Sequence, residues 1–253
     1  MLCRTEDRIL VLTLNRPDKR NALTLALIAE LHQRIQAALS DTNVGGIVIT
    51  GAPPAFSAGL DLNEVAASRS DPAKARATAD ALYDLLNGIY SSSKPIVAAV
   101  NGFAVAGGAG LMSACDLVVA AKSAQIGYPE IKRGLVAAIV MSFLARQVGE
   151  RRAKYLLLTG DLLDGAAARE AGLVNEVVEP DRVVPRAIEL AVRVAAYAPQ
   201  AYSDTKHMLR QIQGLDPAEA MDRARAIHTQ MRTSSQADAG ISSFLGKQRP
   251  PGD

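Results

Sequence analysis

Apolar positions follow two rhythms along the first 180 residues. Ile9–Leu14 is a short run of aliphatic residues closed by Asn15–Arg16–Pro17, and it reads as a strand. Leu25, Ile28, Leu31, Ile35 and Leu39 recur every three or four residues, which predicts a helix to about Ser40 with Thr24 as its N-cap. Ile47–Thr50 is a strand of the buried kind, and 51–63, GAPPAFSAGLDLN, reads as a turn-rich loop. Asp71–Pro72 opens a second amphipathic helix to about Tyr90, with an acidic cap and proline at its first position.

The alternation continues. Pro95–Val100 reads as a strand and 101–106 as a loop, and an apolar stretch opens at Gly107 and runs to Cys115. Asp116–Ala121 and Gln125–Gly127 read as strands, Val136–Val148 and Glu150–Leu158 as helices. Asp164 caps another helix that stops by Gly172, and Val174–Val178 is a last strand. After Pro180 only helical patterns remain, at 181–197, 199–212 and 216–231, with a short piece near Phe244. Alternating strands and helices followed by helices alone predict a parallel α/β core over 1–180 and a helical region over 181–253.

Composition narrows the function more than the fold. Lys plus Arg is 28 against 26 Asp plus Glu, a net charge of +2, too balanced for a strongly basic nucleic-acid binder. No run of eighteen apolar residues occurs, so no membrane span or membrane partner is expected. The acidic pair Glu6–Asp7 argues against a targeting leader, and the expectation is a cytoplasmic protein. Two cysteines, Cys3 and Cys115, make neither a disulfide framework nor a zinc site, and no metal is expected. His32, His207 and His228 fall on predicted helices without the neighbours of a catalytic dyad. No nucleophile elbow, phosphate-binding P-loop or metalloprotease motif is present, and Ser113 breaks the dinucleotide-binding glycine spacing after Gly107, Gly108 and Gly110.

Seven segments stand in order: Asn15–Leu23 (NRPDKRNAL), Ala55–Val65 (AFSAGLDLNEV), and Val100–Leu111 (VNGFAVAGGAGL) with Cys115–Asp116; then Gly127–Leu135 (GYPEIKRGL), Leu158–Asp161, Ala171–Val178 and Phe244–Lys247. Glycines at 59, 107 and 108 let backbone approach a ligand closely. An N–H at the start of a helix at Gly107 would also meet the positive end of the helix dipole. Two backbone N–H groups aimed at one oxygen stabilise an enolate as its charge develops. Taken together, the segments resemble the crotonase superfamily of enoyl-CoA hydratases and isomerases across essentially the whole chain.

The resemblance implies a spiral of repeated β-β-α units with a C-terminal helical trimerisation region, assembled as a trimer or a hexamer of two trimers. It implies an acyl-CoA thioester as substrate, with coenzyme A entering as part of it and no separate cofactor. The oxyanion hole falls on the N–H groups of Leu60 and Gly107, and the acid–base carboxyl on Glu130. The CoA portion falls on Ala22, Ala58, Asp61, Leu62, Asn63 and Gly108, with Lys19, Arg20 and Lys247 for its phosphates. Tyr128, Ala138 and Met141 are candidates for the acyl pocket. Hydratases of the family carry a second glutamate two residues after the Gly–Gly pair, where this chain has Gly110. Gly110 itself argues for an isomerase, but the Gly–Leu here is shared with sequences resembling methylglutaconyl-CoA hydratases, and on that resemblance the reading leans to hydration of a 2-enoyl-CoA, straight or branched. The alternatives are Δ3,Δ2-enoyl-CoA isomerisation by Glu130 alone, acyl-CoA hydrolysis, and a catalytically silent CoA-ester binder. The family's RNA-binding branch does not suit a charge of +2.

Overall fold

The computed structural model describes residues 1–246. Its strands are β1 (Leu2–Glu6), β2 (Ile9–Leu14), β3 (Gly46–Gly51), β4 (Ala55–Ser57), β5 (Ile96–Val100), β6 (Phe103–Val105), β7 (Leu117–Ala121), β8 (Gln125–Gly127), β9 (Leu162–Leu163) and β10 (Glu176–Val178). Its helices are α1 (Leu25–Ser40), α2 (Leu62–Ala67), α3 (Pro72–Tyr90), α4 (Gly107–Ala114), α5 (Ala138–Thr159), α6 (Gly165–Glu170), α7 (Val183–Ala195), α8 (Pro199–Gln211), α9 (Pro217–Arg232) and α10 (Ser235–Leu245).

The strands make two sheets, in the orders β1-β2-β3-β5-β7-β10 and β4-β6-β8-β9. Neighbouring strands from β2 to β10 in the first, and from β4 to β8 in the second, run parallel. Each turn of chain gives one strand to the first sheet, the next to the second, and then helix. β3 with β4, β5 with β6, and β7 with β8 are three such turns, so the spiral of β-β-α units is present. Strands β3 and β5 are buried at every residue, as expected of parallel strands covered on both faces. Their core is aliphatic, with Ile47, Ile49, Ile96 and Val97 fully buried.

Local rules explain the helix starts. Thr24 accepts from the Leu27 N–H, Asp71 from Lys74 and Asp164 from Ala167, each an N-cap that satisfies an orphan donor. The two helices expected across 136–158 form α5, whose arms meet at Gly149 with a non-helical φ of 76° and ψ of 158°.

Two expectations are corrected. The segment 51–63 is not all loop, because it holds β4 and the first residues of α2; 101–106 holds β6. These strands are three residues long and too short to show a period. Strand β1 was not anticipated. It is an antiparallel edge exposed at every residue, so no apolar pattern marks it.

The helical region is not uniform. Helix α7 buries Val183, Ala187, Ile188, Leu190 and Ala191 in the core, whereas α8, α9 and α10 bury no residue fully. One polar joint ties α8 to the core. Asp116, just before β7, accepts from the Ile96 N–H at 2.8 Å and the Tyr202 hydroxyl at 2.6 Å, and pairs with Lys206 at 2.5 Å.

Candidate active site

A cleft of ≈ 630 Å³ opens between the β2–α1 and β4–α2 connections on one wall and residues 129–140 on another. The first motif builds the floor of the first wall. The backbone N–H of Arg16 donates to Asn21 Oδ1 at 2.9 Å, and Asn21 Nδ2 donates to the carbonyls of Ala52 and Ala55 at 2.8 and 2.6 Å. Ser57 Oγ donates to the Asn21 carbonyl and accepts from the Gly59 N–H. Both terminal nitrogens of Arg16 reach Asp61 Oδ2 at 3.0 Å, and one also reaches the Ala22 carbonyl. Burial raises the Asp61 carboxyl. Arg16 and the N–H groups of Asn63 and Glu64 outweigh that and hold it below its ordinary value. Asp61 is therefore committed to fixing the loop and capping α2.

This frame sets Leu60 and Gly107 side by side in the lining of the cleft. Leu23 and Leu60 form a parallel bridge, in which the Leu23 N–H donates to the Gly59 carbonyl and the Asp61 N–H to the Leu23 carbonyl. In parallel pairing the residue between those two bonds turns its own N–H the other way, and for Leu60 that is away from Leu23. Gly107 is the first residue of α4, where the helix has no acceptor for its N–H. The two groups are neighbours: a Cβ on Gly107 would stand 3.5 Å from the Leu60 nitrogen, and one on Gly59 only 2.9 Å from the Gly107 nitrogen. Gly59 has a φ of +83°, so the turn needs glycine twice over. Ala106, just before α4, is held at φ +53° and ψ −126°, a strained backbone for alanine.

Glu130 stands on the other wall, in the short 3-10 turn Pro129–Arg133. Its Oε2 is buried and has no hydrogen-bond partner. Burial pushes the carboxyl above its ordinary value, against its own backbone N–H and the charge of Arg133. A half-buried carboxyl with an unpartnered oxygen can give or take a proton, and backbone N–H groups lining the same cleft can hold an oxyanion.

The cleft brings together Lys19, Arg20, Ala22 and Ala58 with Leu60, Asp61, Leu62 and Asn63, and adds Gly107, Glu130 and Ala138. Three expected residues do not line it. Tyr128 is fully buried, its hydroxyl 2.9 Å from Ser113 Oγ and its pKa pushed up to about 12 by that burial. Met141 lies one residue past the lining stretch of α5. Gly108 faces β4 instead, and a Cβ there would meet the Ser57 carbonyl oxygen at 2.3 Å. Lys247 lies outside the described residues.

Sequence reasoning missed the framing residues Arg16, Asn21 and Ser57, and also Arg133 and Val140. The first three sit inside motifs already singled out, but a buried polar network has no periodicity to reveal it. Val140 explains Gly110. A Cβ at Gly110 would lie 2.6 Å from Val140 Cγ2, so α5 fills the space that a side chain from α4 would need. No cluster of His, Cys, Asp or Glu suited to a metal occurs among the described residues.

The sequence pattern of the enoyl-CoA hydratase/isomerase family matches residues 4–252. The chain belongs to that family. A 2,3-dehydroadipyl-CoA hydratase from Escherichia coli is 37% identical over 246 residues, covering 97% of this chain and 95% of the relative. The crystal structure of an enoyl-CoA hydratase from Mycobacterium smegmatis superposes with a TM-score of 0.91 at 30% identity, over 99% of this chain and 98% of that one. An enoyl-CoA hydratase from Polaromonas sp. JS666 gives 0.93 at 29% identity, over 98% of both chains. The protein is thus a crotonase-superfamily enzyme of the enoyl-CoA hydratase/isomerase family, acting on acyl-CoA thioesters. No helix among the described residues is long and apolar enough to cross a membrane.

Proposed function

We propose that the protein hydrates a 2-enoyl-CoA, straight or branched, to the 3-hydroxyacyl-CoA. The observation that carries this reading is the unpartnered Oε2 of Glu130 sharing one cleft with the N–H groups of Leu60 and Gly107. The thioester oxygen accepts from both N–H groups. Water bonds to C3, the C2=C3 electrons move toward the thioester, and an enolate forms on the held oxygen. Glu130 gives its proton to C2 and takes one from the adding water, so it ends the cycle as it began. Lys19 and Arg20 at the rim suit the CoA phosphates.

A second reading has an observation of its own. Val140 closes the space beside Gly110, leaving Glu130, among the described residues, as the one carboxyl of the cleft not already committed, since Arg16 holds Asp61. A single carboxyl suffices to carry a proton between C2 and C4 through a dienolate, which is isomerisation of a 3-enoyl-CoA. Mass spectrometry of products from matched 2-enoyl and 3-enoyl thioesters separates the two. Gain of water supports hydration. A shifted double bond without added mass replaces it with isomerisation.

The assembly is read from the family resemblance as a homotrimer or a pair of trimers. Met221 on α9 and Phe244 and Leu245 on α10 are more than 70% exposed in the single chain, an apolar surface suited to burial against a second copy. Sedimentation of the protein as a monomer at micromolar concentration would contradict this.

A further inference from the structure

We propose that Ile139 sets the length of acyl chain the site accepts, by closing the cleft against a second cavity between α3 and α5, so that the preferred substrates are short-chain 2-enoyl thioesters. The proposal rests on reading the cleft as an enoyl-CoA site.

On that reading the CoA portion lies along residues 19–22 and 58–63, and the reacting carbons lie at Leu60, Gly107 and Glu130. The apolar lining left for the acyl chain is chiefly Ala79 and Leu82 of α3 and the stretch from Leu135 to Val140. A second cavity, of ≈ 170 Å³, lies further along the same two helices, between Leu86, Asn87 and Tyr90 of α3 and Ile139, Ser142 and Phe143 of α5. These positions recur at three and four residues, so one face of each helix lines it. Leu82 in the cleft and Leu86 in the second cavity are about one helical turn apart, about 6 Å along α3. The partition is therefore thin. Among the described residues, Ile139 alone lines both spaces.

Ile139 makes a firm partition for two reasons. It is partly buried and packs against the core. Its β-branched side chain on a helix has one strongly preferred χ1 rotamer, so it does not swing aside as an unbranched side chain would. An acyl tail that reaches Ile139 must overpack it or turn back into water, and either way further methylenes gain no apolar contact. The second cavity offers that contact on the far side, through Leu86 and the rings of Tyr90 and Phe143. Those two rings meet edge to face, with centres 5.1 Å apart, and the Arg210 guanidinium of α8 lies over Tyr90 at 4.7 Å. The far wall is thus built by three elements, and the near wall by one side chain.

The test measures kcat/KM on straight 2-enoyl-CoA thioesters of four to twelve carbons. It uses the intact protein, Ile139→Ala, and Ile139→Ala combined with Ser142→Trp, which fills the second cavity from its exposed side. The wild type should lose about 10-fold or more between the six- and ten-carbon thioesters. Ile139→Ala should raise the ratio of ten- to four-carbon activity by about 10-fold, and adding Ser142→Trp should cancel that gain. A wild-type profile that stays level or rises to twelve carbons overturns the proposal, whether or not the variants fold. An unchanged ratio in Ile139→Ala overturns it too, equal loss at every length included. So does a gain that survives Ser142→Trp, because the tail would then run elsewhere. Absence of turnover on every thioester would instead strike the functional reading itself, which keeps the two failures apart.

Discussion

Glu130 has opposite consequences for stability and for chemistry. Its folded-state pKa lies above the ordinary glutamate value, so between those two values the folded protein holds a proton that the unfolded chain has lost. Stability therefore falls as pH rises through that window and stays reduced above it. Glu130→Gln removes this loss, and its melting temperature should exceed the wild type's near pH ~8 and converge on it near pH ~4. The same substitution removes the acid–base group, and kcat should fall by about 10²- to 10⁴-fold while CoA-ester affinity changes little. Asp61 behaves in the opposite sense. Its lowered pKa contributes stability above the ordinary aspartate range that is lost as pH falls through it. The glycines are equally exacting. Gly59→Ala forces a Cβ against the Gly107 nitrogen, and the displaced N–H should cost about 10²- to 10³-fold in kcat with substrate affinity largely kept. Ala106→Gly should instead add about 1 kcal/mol of stability by relieving its positive φ, measured by denaturant unfolding.

Between α4 and α5 one contact decides what the cleft holds. Gly110 is buried, and Val140 occupies the volume a side chain there would take. Gly110→Glu alone overpacks this contact and buries a charge, and should destabilise by about 1–3 kcal/mol or more. Combined with Val140→Gly, the loss should be smaller than the sum of the two single losses, because each change makes room for the other. A double-mutant cycle by denaturant unfolding measures that coupling, and strict additivity would contradict the contact. The same contact shows what was legible in the sequence. Gly110 stood out as a departure from the family pattern, but its partner is thirty residues on, in a helix whose pattern gives no hint of which side chain faces α4. The longer elements were legible because apolar spacing and caps determine them locally: α1 and α3 begin where Thr24 and Asp71 say they should. Strands β4 and β6 were not, since three residues carry no period and their pairing is set by the spiral. Motifs are what singled out Glu130 and the N–H groups of Leu60 and Gly107 as candidates. Tyr128 was misplaced because a tyrosine next to a catalytic motif looks like a pocket residue, whereas its hydroxyl is satisfied inside the core by Ser113.

Over the whole molecule, successive turns of the spiral bring the parts of the site together on the smaller sheet. The Leu60 loop follows β4, Gly107 follows β6 and Glu130 follows β8, so the three parallel strands of the small sheet present all three at the same end. Helix α8 is held to this body through the Asp116–Lys206–Tyr202 joint rather than through a buried apolar face. Lys206→Met leaves the Asp116 carboxylate buried without its cation. It should destabilise by about 3–5 kcal/mol, measured by denaturant unfolding. Asp116→Asn with Lys206→Met removes both charges and should recover much of that loss.

The central claim is that Glu130 moves a proton at C2 of a thioester enolate held by Leu60 and Gly107. The most direct measurement is site-resolved deuterium incorporation into an enoyl-CoA in heavy water, with the wild type beside Glu130→Gln. The account predicts deuterium at C2 of the product with the wild type, and its loss by two orders of magnitude or more in Glu130→Gln. Deuterium at C2 arriving equally fast with Glu130→Gln would contradict it.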